Sequence, residues 1–372
     1  MARSPDKRDP DAAPPWPAPG RNEDLVGQEE AEKVLLDAFG SGRLPHAWLL
    51  TGPRGVGKAT LAHRFARFLL AGEHGGGLFG GGPTSLATDM RSPVAQRVAS
   101  GGHADLRVVA RSVNPKTGKL RTEIIVDDIR DLGGFMRMTP AEGGWRVAII
   151  DAADEMNRSA ANAVLKVLEE PPRRSVLLLV AHAPGRLLPT IRSRCRKLAL
   201  RALPEARVVE LMGRLAPETD PAERAALARL ADGSAGRALE LGRAGGLALY
   251  RDMVGVIAGL PRLDIGAAHA FAERIGRRGA DGDSDFRTVA FLLDWWLQTL
   301  VREGSCGTAE PIVVEREEGL RARLFAAAGL DRLMQVWEKS ARSFARSDGI
   351  NLDRKQVVLL SLLDLQSAVH RA

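Results

Sequence analysis

Cysteine is scarce in this sequence of 372 residues, because only Cys195 and Cys306 occur. Two cysteines exclude a scaffold of several disulfides and a four-cysteine zinc site, and they suit a reducing compartment. No apolar run approaches the roughly 18 residues that a membrane span requires. The first twenty residues also lack the apolar core of a secretory signal. We therefore expect a soluble, cytoplasmic protein that holds no zinc and has no membrane partner.

Lysine is also rare, with nine residues against 44 arginines, although the net charge is +7. A basic balance is compatible with a nucleic-acid partner. Arginine, alanine and glycine are also what a GC-rich coding sequence yields by itself, so both interpretations of the charge stay open. The content of 45% apolar and 27% charged residues is that of an ordinary globular protein.

Predicted strands and helices alternate as far as about residue 201. Apolar runs predict strands at 47–50, 106–109, 146–150 and 176–180, and helical spacing predicts helices at 29–39, 58–70, 126–138 and 159–170. Residues 71–104 read as glycine-rich and irregular. The alternation predicts an α/β fold with a parallel sheet covered by helices on both faces. After residue 201 only helices are expected.

The segment from Gly52 to Lys58 fits the phosphate-loop pattern G-x-x-x-x-G-K. Gly52, Gly55 and Gly57 would let backbone N–H groups surround a polyphosphate such as ATP, and Lys58 would add a positive charge at the outer phosphates. The hydroxyl that normally binds magnesium is missing, because Ala59 follows the lysine. Thr60 comes one residue late, and one helical position turns a side chain by about 100°. We expect a nucleotide site with a weakened magnesium site.

The strand at 146–150 ends in Asp151, where a nucleotide hydrolase carries the aspartate that helps to hold magnesium. The glutamate that often follows, and that orients water, is replaced by Ala152. Asp154 and Glu155 lie further into the loop and are expected to point elsewhere. Both departures, Ala59 and Ala152, remove chemistry needed for hydrolysis and spare the fold.

Four further motifs strengthen this interpretation. They are Leu25–Gln28 (LVGQ), Asn162–Pro172 (NAVLKVLEEPP), Ser193–Cys195 (SRC) and Gly233–Arg237 (GSAGR). Together with the phosphate loop they resemble the AAA+ clamp-loader family.

The resemblance implies a P-loop AAA+ core at residues 22–201, a small helical lid at 202–244 and an all-α collar for oligomerisation at 245–372. Residues 1–21 are predicted to be a disordered tail. The family's four-cysteine zinc module is absent, and residues 71–104 stand in its place.

The resemblance also assigns roles to two arginines. Arg194 of the SRC motif would act in trans, on ATP bound by a neighbouring subunit, and Arg237 would sense nucleotide beside Gly52, Gly55, Gly57, Lys58, Thr60 and Asp151. The alternative for Arg194 is a solvated basic loop, because other basic residues lie close by in the sequence. Cys195 is interpreted as a small buried residue, and Trp295 and Trp296 as collar core or, alternatively, as a DNA-stacking pair.

Three functions follow from these features. The first is a non-motor subunit of a DNA polymerase III clamp loader, which would bind the gamma/tau and delta subunits, the sliding clamp and primed DNA. The second is a self-sufficient AAA+ ATPase, such as a motor-type loader subunit or a helicase-loading factor. The third, a DNA-binding module, would depend on the basic surface alone. The absence of both hydrolytic groups favours the first.

Overall fold

The computed structural model describes residues 16–370 except 73–82, 117, 119, 143, 278 and 351. The chain forms two compact units. The first contains the described residues 16–207 together with Ser234–Gly236, and the second contains Val208–Gly233 and the described residues from Arg237 onward. The predicted division into tail, core, lid and collar stays a prediction. Most of the predicted tail lies outside the described residues.

The first unit is built on a parallel sheet with the order β2-β3-β4-β1-β5. The strands are β1 (Ala47–Thr51), β2 (Leu106–Val109), β3 (Arg146–Asp151), β4 (Ser175–Ala181) and β5 (Arg196–Ala199). The helices are α1 (Glu29–Gly40), α2 (Lys58–Ala71), α3 (Pro93–Ser100), α4 (Val126–Arg137), α5 (Arg158–Glu169) and α6 (Pro189–Arg194). The predicted α/β fold class is confirmed.

Two apolar cores flank this sheet, because successive side chains of a strand point to opposite faces. Trp48 and Leu50 join one core with α1 and α2. Leu49 and Leu179 join the other with α4 and α5. The central strands are therefore buried on both faces, which explains why their sequences are continuous apolar runs.

Three elements of this unit were not predicted, and they are α3, β5 and the short helix α6. Helix α3 lies within the stretch read as irregular, so that interpretation of residues 71–104 is wrong for Pro93–Ser100. Ser92 caps this helix by accepting the Ala95 N–H, and Pro93 occupies its first turn. Strand β5 was missed because only one of its four side chains, Leu198, is buried.

The strands end together at one edge of the sheet. Thr51 pairs with Ala181 and with Ala199, and Asp151 pairs with Val180. In open parallel sheets ligands bind at this carboxyl edge. The phosphate loop that follows β1 and the aspartate that ends β3 are therefore both placed there by the topology.

The second unit is helical throughout its described residues, apart from connecting turns. Its helices are α7 (Glu205–Leu215, whose first turn belongs to the first unit), α8 (Pro221–Leu230), α9 (Ala235–Arg243, likewise shared), α10 (Gly246–Ile257), α11 (Ile265–Ile275), α12 (Ala280–Cys306), α13 (Leu320–Ala328), α14 (Leu330–Ile350) and α15 (Arg354–His370). Trp296 is completely buried in this unit, which agrees with the core interpretation of that residue. No helix among the described residues is long and apolar enough to cross a membrane.

Candidate functional site

The phosphate loop joins the end of β1 to the start of α2. Its first glycine, Gly52, has a φ of +138°, and a Cβ at this position would come within 2.3 Å of the carbonyl oxygen of Leu200. That backbone conformation and that approach both require glycine. The loop therefore has the local geometry that the sequence pattern predicts.

Lys58 is the first residue of α2 and is only 3% exposed. Its Nζ donates hydrogen bonds to the carbonyl oxygens of Gly52 and Pro53, both at 2.6 Å. The ammonium group thus lies against the loop that a polyphosphate would occupy. Ala59 follows it, and Thr60 is buried at 7% exposure. Position 59 supplies no hydroxyl for a metal ion, and the weakened magnesium site stays a prediction.

Asp151 ends β3, two strands away from β1 in the sheet. Burial raises the pKa of its carboxyl group, and the positive charge of Lys58 acts in the opposite direction. The two side chains are thus close enough to interact electrostatically, and their role toward a nucleotide stays a prediction. Ala152 is buried at 3% exposure, so no carboxylate follows Asp151 to orient a water molecule.

The two acidic residues further along the loop have other partners. The Asp154 carboxylate accepts the backbone N–H groups of His182 and Ala183, both at 2.9 Å. Glu155 forms an ion pair of 2.9 Å with Arg111. Asp154 therefore ties the loop after β3 to the segment after β4. No pattern in the sequence indicates this bond.

A segment that is distant in the sequence contacts the phosphate loop. Ser234 donates its hydroxyl to the carbonyl oxygen of Arg54 at 2.6 Å, and the Gly236 N–H donates to the Gly55 carbonyl at 3.0 Å. A Cβ at Gly236 would lie 2.9 Å from the Cα of Gly55. The GSAGR motif thus contacts the phosphate loop through the Ser234 hydroxyl and the Gly236 backbone, a contact that sequence reasoning did not find.

Arg237, the predicted nucleotide sensor, follows Gly236 but belongs to the second unit. Within that unit its guanidinium lies 4.1 Å from the centre of the Phe291 ring, a cation–π contact. Its role toward a nucleotide stays a prediction.

Arg194 is the last residue of the short helix α6, and its side chain is 38% exposed. One guanidinium nitrogen lies 3.0 Å from Glu169 Oε1, and another donates to the Thr190 carbonyl at 3.1 Å. Glu169 belongs to the NAVLKVLEEPP motif, so the structure joins two motifs that are separate in the sequence. The neighbouring Cys195 is buried, and burial raises the pKa of its thiol to about 12. That thiol is a core group and is not a nucleophile near neutral pH.

The segment after α3 contains a buried polar cluster. Asp105, 1% exposed, accepts the N–H groups of Ala141 and Glu142 and pairs with Arg146 at 2.9 Å. His103, 2% exposed, accepts the Asp105 N–H at its Nδ1. Among the described residues no group of histidine, cysteine and acidic side chains could hold a metal ion.

The parallel sheet and the loop between β1 and α2 give the first unit the fold of a P-loop domain of the AAA+ class. Residues 27–204 match the family described as "DNA polymerase III, delta subunit". This region of the chain is therefore similar to DNA polymerase III subunits of that family.

Individual relatives agree with this assignment. The DNA polymerase III subunit delta' of Pseudomonas aeruginosa is 37% identical over 224 residues, which cover 60% of this chain and 63% of that protein. The subunit tau of Escherichia coli is 32% identical over 222 residues, which cover 59% of this chain and 32% of that protein. The matches thus span less than two thirds of these relatives.

Among solved structures, a gamma subunit-related protein of DNA polymerase III from Thermotoga maritima is 19% identical. The superposition covers 87% of this chain and 94% of that one, with a TM-score of 0.37. The strand order and the phosphate loop, rather than this superposition, define the fold.

Proposed function

We propose that this chain is the delta-prime-type subunit of a bacterial clamp loader, working in the cytoplasm as a non-motor member of a ring. The observation that carries the proposal is the pair Ala59 and Ala152. These residues replace the magnesium-binding hydroxyl and the water-orienting carboxylate, while Gly52 and Lys58 keep the loop itself. A site of this kind holds its shape but lacks two groups that hydrolysis uses.

The second part of the proposal concerns Arg194. A planar guanidinium can neutralise charge on a transferring phosphoryl group, and it can do so across an interface between subunits. Arg194 is exposed, and the ion pair with Glu169 is of the exposed kind, worth about 0–1 kcal/mol. The guanidinium can therefore exchange Glu169 for a phosphate at small cost. Its target in the proposal is ATP on an adjacent gamma/tau subunit.

The partners in this proposal are the gamma/tau and delta subunits, the sliding clamp and primed DNA. The relatives named above support a place among DNA polymerase III subunits. The GSAGR segment on the phosphate loop and Arg237 in the helical unit are compatible with a clamp-loader lid. We therefore include Arg237, Thr60 and Asp151 among the residues that face any bound nucleotide.

The test is ATP hydrolysis by the purified chain and by the reconstituted loader. The isolated chain is expected to hydrolyse Mg-ATP at background rate. In the loader, Arg194→Ala should slow single-turnover hydrolysis at the site it serves by on the order of 10³-fold, as loss of an arginine finger does elsewhere.

Lys197→Ala is the matched control, because Lys197 is another exposed cation only three positions away, on β5. It should leave hydrolysis unchanged. If Arg194→Ala hydrolyses ATP and loads clamps as well as the unsubstituted loader, the proposed role in trans is wrong.

The intact phosphate loop favours one other function, a self-sufficient AAA+ ATPase. Lys58 and Asp151 are both at the site, as such an enzyme requires. Brisk magnesium-dependent hydrolysis by the isolated chain, abolished by Lys58→Ala, would favour this function over the first.

A further inference from the structure

A groove between α12 and α14 in the helical unit has the features of a binding site. It encloses a cavity of about 290 Å³, and its lining includes Phe291, Asp294, Trp337, Ser340 and Phe344. All of these residues lie within the second unit. The cavity is at the lower end of the range for small-molecule pockets, which is about 300–1,000 Å³. It suits a single side chain better than a cofactor.

Two neutral donors contact the carboxylate of Asp294. Its Oδ1 accepts the Trp337 Nε1–H at 2.7 Å, and its Oδ2 accepts the Gln298 amide at 2.7 Å. No cation pairs with it among the residues that the structure describes. A carboxylate offers about four acceptor positions, so about two remain for a ligand. A group that donates two parallel hydrogen bonds would fit them.

A second polar atom in the groove has no partner. Ser340 is 3% exposed, and its Oγ makes no hydrogen bond within the described part of the chain. Buried hydroxyl groups are normally hydrogen-bonded, and those that are not call for a ligand or a water molecule. Ser340 Oγ and the Asp294 carboxylate both line the same cavity.

Aromatic rings form the remaining walls. Trp337, Phe291 and Phe344 present surfaces on which a planar cation can stack, and tryptophan is the strongest of the three. Phe291 already accepts such a contact, because the Arg237 guanidinium lies 4.1 Å from its ring centre. An uncompensated carboxylate beside aromatic walls selects a cation, and guanidinium combines stacking with two parallel hydrogen bonds.

We propose that this groove is a socket for one arginine side chain of a partner protein. The partner follows from the proposed function: it is a neighbouring subunit of the clamp loader. Arginine anchors seated in pockets are a common feature of protein interfaces. The socket itself depends only on the charges, rings and volume described above.

The first experiment uses the full chain and a small probe, N-acetyl-arginine methylamide at millimolar concentration. Binding is followed by the NMR signal of the Trp337 indole N–H, assigned with Trp337→Phe. The dissociation constant obtained from this shift should be at least tenfold lower for the arginine probe than for the citrulline analogue. Citrulline has nearly the same shape without the charge. Asp294→Asn should weaken binding of the arginine probe at least tenfold.

The control is Glu338→Gln, which removes one carboxylate from the exposed side of α14 beside the groove and should leave binding unchanged. Ala341→Phe blocks the mouth of the groove from an exposed position and should abolish binding without unfolding the helix. Equal binding of arginine and citrulline probes, or of Asp294→Asn and the unsubstituted chain, would overturn the proposal, as would the absence of any shift.

The second experiment measures assembly with the gamma/tau and delta subunits from the same organism. Asp294→Asn and Ala341→Phe should weaken assembly at least tenfold, and Glu338→Gln should not. Normal assembly of both groove variants would show that no subunit uses the socket. If the unsubstituted chain itself does not assemble, the proposed function fails, and the probe experiment alone decides whether the socket binds a guanidinium.

Discussion

Buried histidines couple the stability of the first unit to pH. His63 is 9% exposed and His103 is 2% exposed, and burial lowers the pKa of both below the ordinary 6.5. The unfolded chain therefore binds more protons than the folded chain below about pH 6.5, so the free energy of unfolding falls as the pH falls through that window.

The measurement is urea unfolding at pH 7.5 and pH 5.5. His103→Asn, which can keep an acceptor for the Asp105 N–H, should reduce the loss of stability at the lower pH. The exposed His269, replaced by Asn, should leave that loss unchanged. Burial raises the pKa of Asp151, so protonation of this carboxyl group makes the free energy of unfolding rise as the pH falls. The urea measurements are therefore repeated with Asp151→Asn. A pH dependence identical in His103→Asn and the unsubstituted chain contradicts this role of the histidine.

Two glycines should respond to the same substitution with opposite signs. At Gly236 a Cβ would press on the backbone of Gly55, so Gly236→Ala should destabilise the chain by about 1–3 kcal/mol. At Gly134, in the exposed part of α4, nothing lies within 4 Å of the new Cβ, and Gly134→Ala should stabilise by about 0.5–1 kcal/mol. Chemical denaturation of both variants checks the pair, and equal effects would rule out the tight contact at Gly236.

At the level of whole elements, Asp154 links two loops at the carboxyl edge of the sheet. Asp154→Ala leaves the N–H groups of His182 and Ala183 without their acceptor and should cost about 1–3 kcal/mol. Asp154→Asn keeps one acceptor oxygen and should cost less. Hydrogen exchange of the two amides reports the loss directly. Unchanged protection of both amides in Asp154→Ala would show that the carboxylate does not hold them.

The elements themselves were predictable to different degrees. Strands β1, β3 and β4 are central and buried on both faces, so their apolar runs are unambiguous. Strand β5 lies at the edge of the sheet and buries only Leu198 well, so it carries no apolar run. Helix α3 is short and follows a glycine-rich stretch, and only its Ser92 cap and Pro93 indicated it. Local pattern therefore predicts all the central strands, whereas of the two edge strands it predicts β2 and misses β5.

The phosphate loop was also predictable from local pattern, because its glycines and Lys58 are neighbours in the sequence. The contacts that surround it were not. Ser234 reaches Arg54 from 180 residues away, and Arg194 meets Glu169 through the packing of α6 beside α5. Such pairs arise from the tertiary fold, and no spacing within the sequence encodes them. The sequence therefore predicts the residues of the phosphate loop, whereas the tertiary contacts around it are seen only in the structure.

At the scale of the whole molecule, each compact unit buries side chains of its own, and in the helical unit some of these are charged. In the helical unit Glu317 is 1% exposed, accepts the Tyr250 hydroxyl and pairs with Arg321 at 3.2 Å. Burial and the charge of Glu317 together raise the pKa of Tyr250 well above its usual range. Removing one partner of a buried pair costs about 3–5 kcal/mol. Because Glu317, Tyr250 and Arg321 all belong to the helical unit, the effect of Glu317→Gln should be confined to this unit.

Calorimetry should therefore show two unfolding transitions, because chains with two cores depart from two-state behaviour. Glu317→Gln should lower the midpoint of one transition by on the order of 10 °C, at about 2–4 °C per kcal/mol for units of this size. Asp154→Ala should lower the midpoint of the other, and each variant serves as the control for its counterpart. A single transition that both substitutions shift equally would mean that the two units unfold as one cooperative body.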